Sequence, residues 1–291
     1  MTGAQRCAIA CVALLALAGA ARAADIAELQ RAADTYRAQL KADPNRPELR
    51  AQLGETLESL GQPQAAMAEY DRAIHGPGDS HRALIDRGHL LVSQGRFGEG
   101  RKDFDRALAI NPRDVEALSA RGASWVAEGK GKRAGAALAD FSAALAIAPN
   151  DAGALNARGN LYLAELKPEL AVADFDKALA ASPKDDVVLF NRGVAFKQMG
   201  KYDRALRDFN AVLRLTPGDP MTLAAKGDAY RQLGDLLLAR EFYDAALKAD
   251  PGAAMAWEAR GEVRGALGDG PGGEADKAQA RKLNPAIGAV P

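Results

Sequence analysis

The stretch NARGNLYLAELKPELAVADFDKALAASP, residues 156–183, decides the fold. Just ahead of it and within it, Leu155, Gly159 and Tyr162 are separated by four and three residues, and Ala171, Phe175 and Ala178 repeat that pattern. Each trio therefore lies on one face of a helix. Pro183 closes the second helix, and Lys184-Asp185 follows, where an aspartate favours the N-cap of the next helix. The stretch reads as a pair of short antiparallel helices.

Moving outward, the same pair recurs. Gly54, Gly88, Gly122, Gly159, Gly193, Gly227 and Gly261 are spaced by 34 residues, with one step of 37. The rings Tyr70, Phe104, Phe141, Phe175, Phe209 and Tyr243 keep that spacing, as do Pro112, Pro149, Pro183, Pro217, Pro251 and Pro285, with the long step in the same place. Three columns sharing one period and one insertion define an array of repeats. Gly61, Gly95, Gly129, Gly200 and Gly234 fall between the two helices of a unit, where a tight turn needs φ > 0.

This 34-residue helix-turn-helix unit, with its Gly, aromatic, Ala and terminal Pro columns, resembles the tetratricopeptide repeat family. The resemblance covers residues 47–287 in seven units: 47–80, 81–114, 115–151, 152–185, 186–219, 220–253 and 254–287. Arg158-Gly159-Asn160-Leu161-Tyr162 with Ala171, Asp174-Phe175 and Pro183 carries it most clearly, as does Arg192-Gly193 with Phe196, Ala205, Phe209 and Pro217. It implies an all-α, right-handed superhelical solenoid of about seven repeats with an N-terminal capping helix in residues 24–46 and a disordered tail in residues 288–291. The cap carries Ala32 and Tyr36 at the phase of a second helix and is closed by Asp43-Pro44. Several units depart from the pattern. The third has three extra residues around Gly129-Lys130-Gly131-Lys132, read as a solvated turn or a basic contact loop with Arg133. Leu57 and Leu91 stand at ring sites of the first two units. In the last, Arg264 and Lys277 replace rings and Gly270-Pro271-Gly272-Gly273 interrupts the unit, leaving a polar final helix of about Glu274–Leu283.

Of 291 residues, 38 are Lys or Arg and 38 Asp or Glu, so no global field favours nucleic acid or an anionic membrane. Residues 1–23 combine Arg6, an apolar run from Ala8 to Ala18 and the small-x-small site Ala21-Arg22-Ala23, the order of a secretory signal peptide cleaved after Ala23. The run is short of the roughly 20 residues a membrane span needs, so no stable insertion is expected after cleavage. Cys7 and Cys11, the two cysteines, fall inside this segment, and the mature chain would hold no thiol. Ala8-Ile9-Ala10-Cys11 loosely resembles a lipoprotein box but leaves almost no apolar core ahead of it. The expected address is the periplasm or cell envelope.

A glycine inside a helix costs up to about 1 kcal/mol relative to alanine, so seven of them imply a close helix approach. The rings fill each pair, and Ala66, Ala137, Ala171, Ala205 and Ala239 mark the crossings. One further column is charged. Arg87, Arg121, Arg158, Arg192 and Arg260 precede the glycine, and Asp103, Asp140, Asp174, Asp208 and Asp276 stand beside the second-helix ring site. They predict an arginine–aspartate ladder of structural ion pairs; the alternative is a basic groove for an acidic ligand, which the matched aspartates disfavour by cancelling the charge. Leu53 and Lys226 interrupt the basic column, and Phe242 stands where the Lys226 unit would have its aspartate.

The resemblance further implies that first helices line a concave groove for a peptide or partner helix. The side facing it is expected to carry Ile85, His89, Val126, Asn156, Asn160, Leu163, Val187, Phe190, Val194, Lys197 and Arg231. Glu48, Glu55, Glu58 and Arg82 precede this series, with Met221, Asp228, Met255, Glu258 and Glu262 toward its end. Phe190, flanked by Val187 and Val194, makes an apolar strip suited to a helix or an extended peptide, or packs against the next repeat. Asn156, Asn160 and Asn191 match part of the family's two-carboxylate clamp for chaperone C-termini, but Met221 and Ala225 occupy the places of its final basic pair. His75, His81 and His89 do not form a metal-ligand spacing, and no nucleophile–base arrangement or phosphate loop stands out. The reading is a non-enzymatic, cofactor-free scaffold for a protein partner. The alternative is an accessory subunit of an envelope enzyme or transport complex that binds a glycan or small ligand, which the single groove aromatic Phe190 supports less well.

Overall fold

A computed structural model describes residues 25–129 and 133–287. The signal-peptide segment, the tail from 288 and Lys130, Gly131 and Lys132 of the insertion lie outside the described residues. The described chain is all-α: α1 spans 25–42, and seven helix pairs follow, with no strand among the described residues. The fold class is a helical-repeat solenoid.

Two compact units divide the chain, the first ending at Ile147 and the second beginning at Ala148. The first holds α1 and three pairs: α2 (Pro47–Ser59) with α3 (Pro63–His75), α4 (His81–Ser93) with α5 (Phe97–Ile110), and α6 (Val115–Ala127) with α7 (Ala134–Ile147). The second holds four: α8 (Ala152–Ala164) with α9 (Pro168–Ala181), α10 (Asp186–Gln198) with α11 (Tyr202–Leu215), α12 (Pro220–Leu233) with α13 (Leu236–Ala249), and α14 (Ala254–Ala266) with α15 (Gly270–Leu283). Within each unit the first helices of successive pairs touch: α2 meets α4 and α4 meets α6, and α8, α10, α12 and α14 meet in series.

Local chemistry sets the helix ends. Asp114, Asp151, Asp185 and Asp219 accept hydrogen bonds from the backbone N–H groups of Ala117, Ala154, Val188 and Thr222 at 2.7–3.0 Å, as the aspartate after each proline predicts. Between pairing helices the chain turns through the left-handed region, with φ +69° at Gly200. The fourth repeat has Leu166 in that place, at φ +57° and 80 % exposed.

Inside the first six pairs a ring lies on a glycine. Tyr70, Phe104, Phe141, Phe175, Phe209 and Tyr243 are at most 1 % exposed. A Cβ on Gly193 would stand 2.6 Å from the Phe209 ring, and one on Gly227 2.7 Å from Tyr243. No carbon tolerates that separation, so the glycine column is the condition for seating the rings. Ala66, Ala137, Ala171, Ala205 and Ala239 are fully buried at the crossings.

Two expectations near the ends are corrected. In α1 it is Ala33 and Leu40 that are buried, with Tyr36 partly buried against them, while Ala32 is only partly covered. Tyr36 packs on the core as expected, and the buried alanine beside it is Ala33 rather than Ala32. Gly270-Pro271-Gly272-Gly273 does not interrupt the last unit; it is the first turn of α15. Asp269 caps it by accepting from Gly272 N–H at 3.0 Å, and proline is tolerated in a first turn because its missing N–H has no helical partner there. A Cβ on Gly273 would meet the Gly261 carbonyl at 2.6 Å, so glycine permits backbone-to-backbone approach at the crossing position that Ala239 holds one repeat earlier, while Lys277 stands at the ring position.

Candidate partner-binding face

The charged ladder separates structural charges from those free to meet a partner. Arg192 donates through Nε and Nη2 to both carboxylate oxygens of Asp208, at 2.8 and 2.7 Å, and through Nη1 to Asp176 at 2.8 Å. Arg87 does the same with Asp103 and Asp71, Arg121 with Asp140 and Asp105, and Arg260 with Asp276 and Asp244. Arg158 makes the two-pronged bond to Asp174. Except at Arg158, where only the bond within its own pair is described, each arginine ties its own pair together and also reaches the second helix of the preceding repeat. The fork to Asp103 holds Arg87 above the usual guanidinium range, so the rung stays charged.

Lys226 builds its rung differently. Its Nζ donates to Asn210 at 2.7 Å and lies 4.0 Å over the Phe242 ring, which stacks on Tyr230. The side chain is buried, and burial pulls the ammonium below the ordinary lysine range. A neutral amide and a π-face thus replace two carboxylates.

The expected groove residues fall into three groups. Ile85 and Leu163 are buried and cannot meet a partner. The correction for Ile85 has a plain cause: α4 packs against α2, α3, α5 and α6, so everything from Ala83 to Asp86 is enclosed. Leu163, near the end of α8, is 9 % exposed where α8 packs against α9 and α10. Phe190 and Val194 form the second group. Half-buried, they pack with Val172 against the cluster of Phe196, Ala205 and Phe209, and the Phe190 ring lies 5.7 Å from that of Phe209. Phe190 is thus the floor of the face rather than a free anchor.

The third group is more open. Val126, Val187 and Asn160 are exposed, and the His89 side chain is half exposed. Asn156 is half-buried and accepts from Asn191 Nδ2 at 3.0 Å. Lys197 pairs with Asp228 at 2.6 Å and Arg231 with Glu262 at 3.1 Å, each bridging successive first helices. The Tyr243 hydroxyl donates to the other oxygen of Asp228 at 2.8 Å. In the second unit, Val187, Met221 and Met255 occupy one position in successive first helices and are 57, 65 and 69 % exposed. Helices α10, α12 and α14 thus carry a repeated apolar position, with the Lys197–Asp228 and Arg231–Glu262 pairs on the same helices.

The face of the first unit is charged instead. Arg82 donates to Glu116 at 2.9 Å and pairs with Asp86 at 2.8 Å, and the Tyr70 hydroxyl donates to Glu58 at 2.6 Å. Sequence reading passed over Asp86. Its position is alanine in four other units, at Ala120, Ala157, Ala225 and Ala259, so a carboxylate there was the available signal. At the insertion, Arg133 turns back to Glu128, and Arg101 lies 3.8 Å over the Trp125 ring while donating to Glu128 at 2.9 Å. Arg133 is therefore engaged within the fold rather than presented on a contact loop. Among the described residues no three His, Cys, Asp or Glu side chains converge as metal ligands, and no helix is long and apolar enough to cross a membrane.

Comparison with known proteins places this geometry. Residues 85–152, 156–220, 190–254 and 224–281 match the tetratricopeptide repeat, as do residues 47–74 through a second description of the same repeat. The chain belongs to the tetratricopeptide repeat family. A segment of 63 residues, 22 % of this chain, is 36 % identical to DnaJ homolog subfamily C member 3 of Rattus norvegicus, and it spans 12 % of that relative's length. The fold is similar to that of a tetratricopeptide repeat protein from Parabacteroides merdae, with a TM-score of 0.66 and 22 % identity over 82 % of this chain and 93 % of that one. It is also similar to PilF of Pseudomonas aeruginosa, with a TM-score of 0.60 and 22 % identity over 71 % of this chain and 92 % of that one. The family's repeats generally build non-enzymatic scaffolds.

Proposed function

We propose that this protein is a non-enzymatic interaction scaffold of the bacterial periplasm or cell envelope, holding a peptide or partner helix against the first helices of its second unit. The exposed column Val187, Met221 and Met255 carries the reading. Three large apolar side chains at one repeated position, on helices in mutual contact, suit an amphipathic ligand that buries its own apolar side. Methionine suits such a surface because its unbranched thioether adapts to different shapes. The Lys197–Asp228 and Arg231–Glu262 pairs supply a polar border that a partner's backbone or charges can engage. The envelope address rests on Arg6, the apolar run and Ala21-Arg22-Ala23.

The test is crosslinked capture from a bacterial periplasm with the full chain, tagged at its C-terminus, beside a Val187→Asp/Met221→Asp variant. Both positions are exposed, so the variant is expected to fold. A partner captured by the parent and lost by the variant supports the assignment. Capture that the variant leaves unchanged sinks it. The mass of the recovered chain reports the address: a mature form beginning at Ala24 is expected, and a chain retaining residues 1–23 would overturn cleavage.

A further inference from the structure

The charges on the first unit's face are unevenly satisfied. Asp86 is only 7 % exposed, yet its Oδ2 has no hydrogen-bond partner among the described residues. A buried carboxylate without a full set of donors is costly, and burial raises its pKa to about 6. Its one cationic partner among the described residues is Arg82, which is half exposed and holds Asp86 Oδ1 at 2.8 Å with one nitrogen and Glu116 at 2.9 Å with another. Glu55 and Glu58 lie on α2, to one side of α4, and Glu116 on α6, to the other. Asp86, Glu116 and Glu55 thus act on a single arginine, while Glu58, on the same helix as Glu55, accepts from the Tyr70 hydroxyl. The neighbouring imidazole of His89, 3.6 Å from Glu116, is held below its ordinary pKa by burial and adds no compensating charge at neutral pH.

We propose that this face is a binding site for an arginine side chain of a protein partner, and that Arg82 is its intramolecular stand-in. The site already accepts a guanidinium in a forked arrangement, one nitrogen to each carboxylate, which is the geometry a second guanidinium would use. Arg82 hangs from the exposed side of α4 and can swing to solvent, where its charge is hydrated. Incoming arginine then takes Asp86 and Glu116, while Glu55 and Glu58 raise the local cation concentration. The inference rests on the reading that first helices meet protein partners, but it concerns the other unit and a ligand of opposite character to the apolar column.

The experiment measures fluorescence anisotropy of a labelled Gly-Arg-Gly-Arg-Gly-Arg peptide with the full chain, beside the same peptide carrying neutral citrulline. The arginine peptide is expected to bind and the citrulline peptide to fail. Arg82→Gln empties the site and should tighten binding about tenfold, the worth of one charge-assisted hydrogen bond. Adding Asp86→Asn should cancel that gain. Glu55→Gln alters an exposed side chain that does not hold Arg82; it should weaken binding severalfold and serves if Arg82→Gln does not fold. Equal binding of citrulline, no tightening in a folded Arg82→Gln, or no effect of Glu55→Gln overturns the proposal. Val187→Asp/Met221→Asp should leave arginine binding intact, so failure here and failure of the apolar face are separate results.

Discussion

The interior of the helix pairs and the outer face of the first helices follow opposite rules. In the interior most units repeat one solution: ring on glycine in the first six pairs, alanine at five crossings, arginine forked onto aspartate in five units. On the face, one position reads Glu48, Arg82 and Glu116 in the first unit, then Gly153, Val187, Met221 and Met255 in the second. The difference is physical. An interior site where a Cβ would lie 2.6 Å from a ring admits one solution, and repeat after repeat must reach it. A face site meets solvent, and its identity is free to follow a ligand. Stability therefore resides in what recurs in every unit, and the proposed recognition in positions whose character differs between the two units.

The sharpest way to break that division is a pair of aromatic truncations. Phe209 is fully buried and Phe190 half-buried on top of it, with ring centres 5.7 Å apart. Phe209→Ala should cost about 3–5 kcal/mol by denaturant titration. Phe190→Ala should cost about 1–2 kcal/mol, since it leaves an opening to solvent rather than an enclosed cavity. Equal losses would mean that Phe190 belongs to the interior.

Asp86 tests the face from the other side, through pH. Its carboxyl is raised by burial from 3.8 to about 6 against the opposing pull of Arg82; Glu55 from α2 and Glu116 from α6 push the same way as burial, and Tyr70 from α3 is the neutral neighbour. A raised acid binds its proton more tightly folded than unfolded, so its contribution is full below the unfolded pKa and is lost as pH rises through about 6. A carboxyl raised that far favours folding of the protonated form by about 2–3 kcal/mol over the ionised one. Lowering the pH from about 8 to about 4 should move stability in favour of the parent over Asp86→Asn by about that amount. A pH-independent difference would show that Asp86 carries no such penalty.

The ladder gives a comparison within the interior. Arg192→Met leaves Asp208, 8 % exposed in its side chain, without its fork and should cost about 2–3 kcal/mol. Lys226→Met leaves only the Asn210 amide and the Phe242 ring, and should cost about 1 kcal/mol or less. Similar losses from both would show that the rungs act through side-chain packing rather than through charge.

How much was legible follows from the same rule. Whatever recurs could be read from one chain, because seven copies serve as an internal comparison. That gave the helix pairs, the rings, the capping aspartates and the arginine–aspartate rungs. The second anchor of the Arg87, Arg121, Arg192 and Arg260 rungs, in the preceding repeat, was not read, since pairing Arg192 with Asp176 requires knowing how pairs stack. The face was legible only in outline. Ile85 is enclosed because four helices press on α4, and Phe190 is half-buried because Phe209 lies beneath it; neither fact is carried by helical phase. Asp86 needed the opposite reading, attention to a residue that breaks its column.

Leu166 breaks a column too, and it belongs to neither region. It takes the turn position that Gly200 fills one repeat later, with φ +57° against +69°. A β-carbon in the left-handed region costs roughly 1–2 kcal/mol, and glycine escapes that cost while losing roughly 0.5–1 kcal/mol of backbone entropy. Being 80 % exposed, Leu166 offsets little of its strain by burial. Leu166→Gly should therefore raise stability by up to about 1 kcal/mol, and Gly200→Ala should lower it by about the same. If Leu166→Gly instead destabilises in a denaturant titration, the leucine packs against its neighbours in solution, and the turn must be counted with the interior.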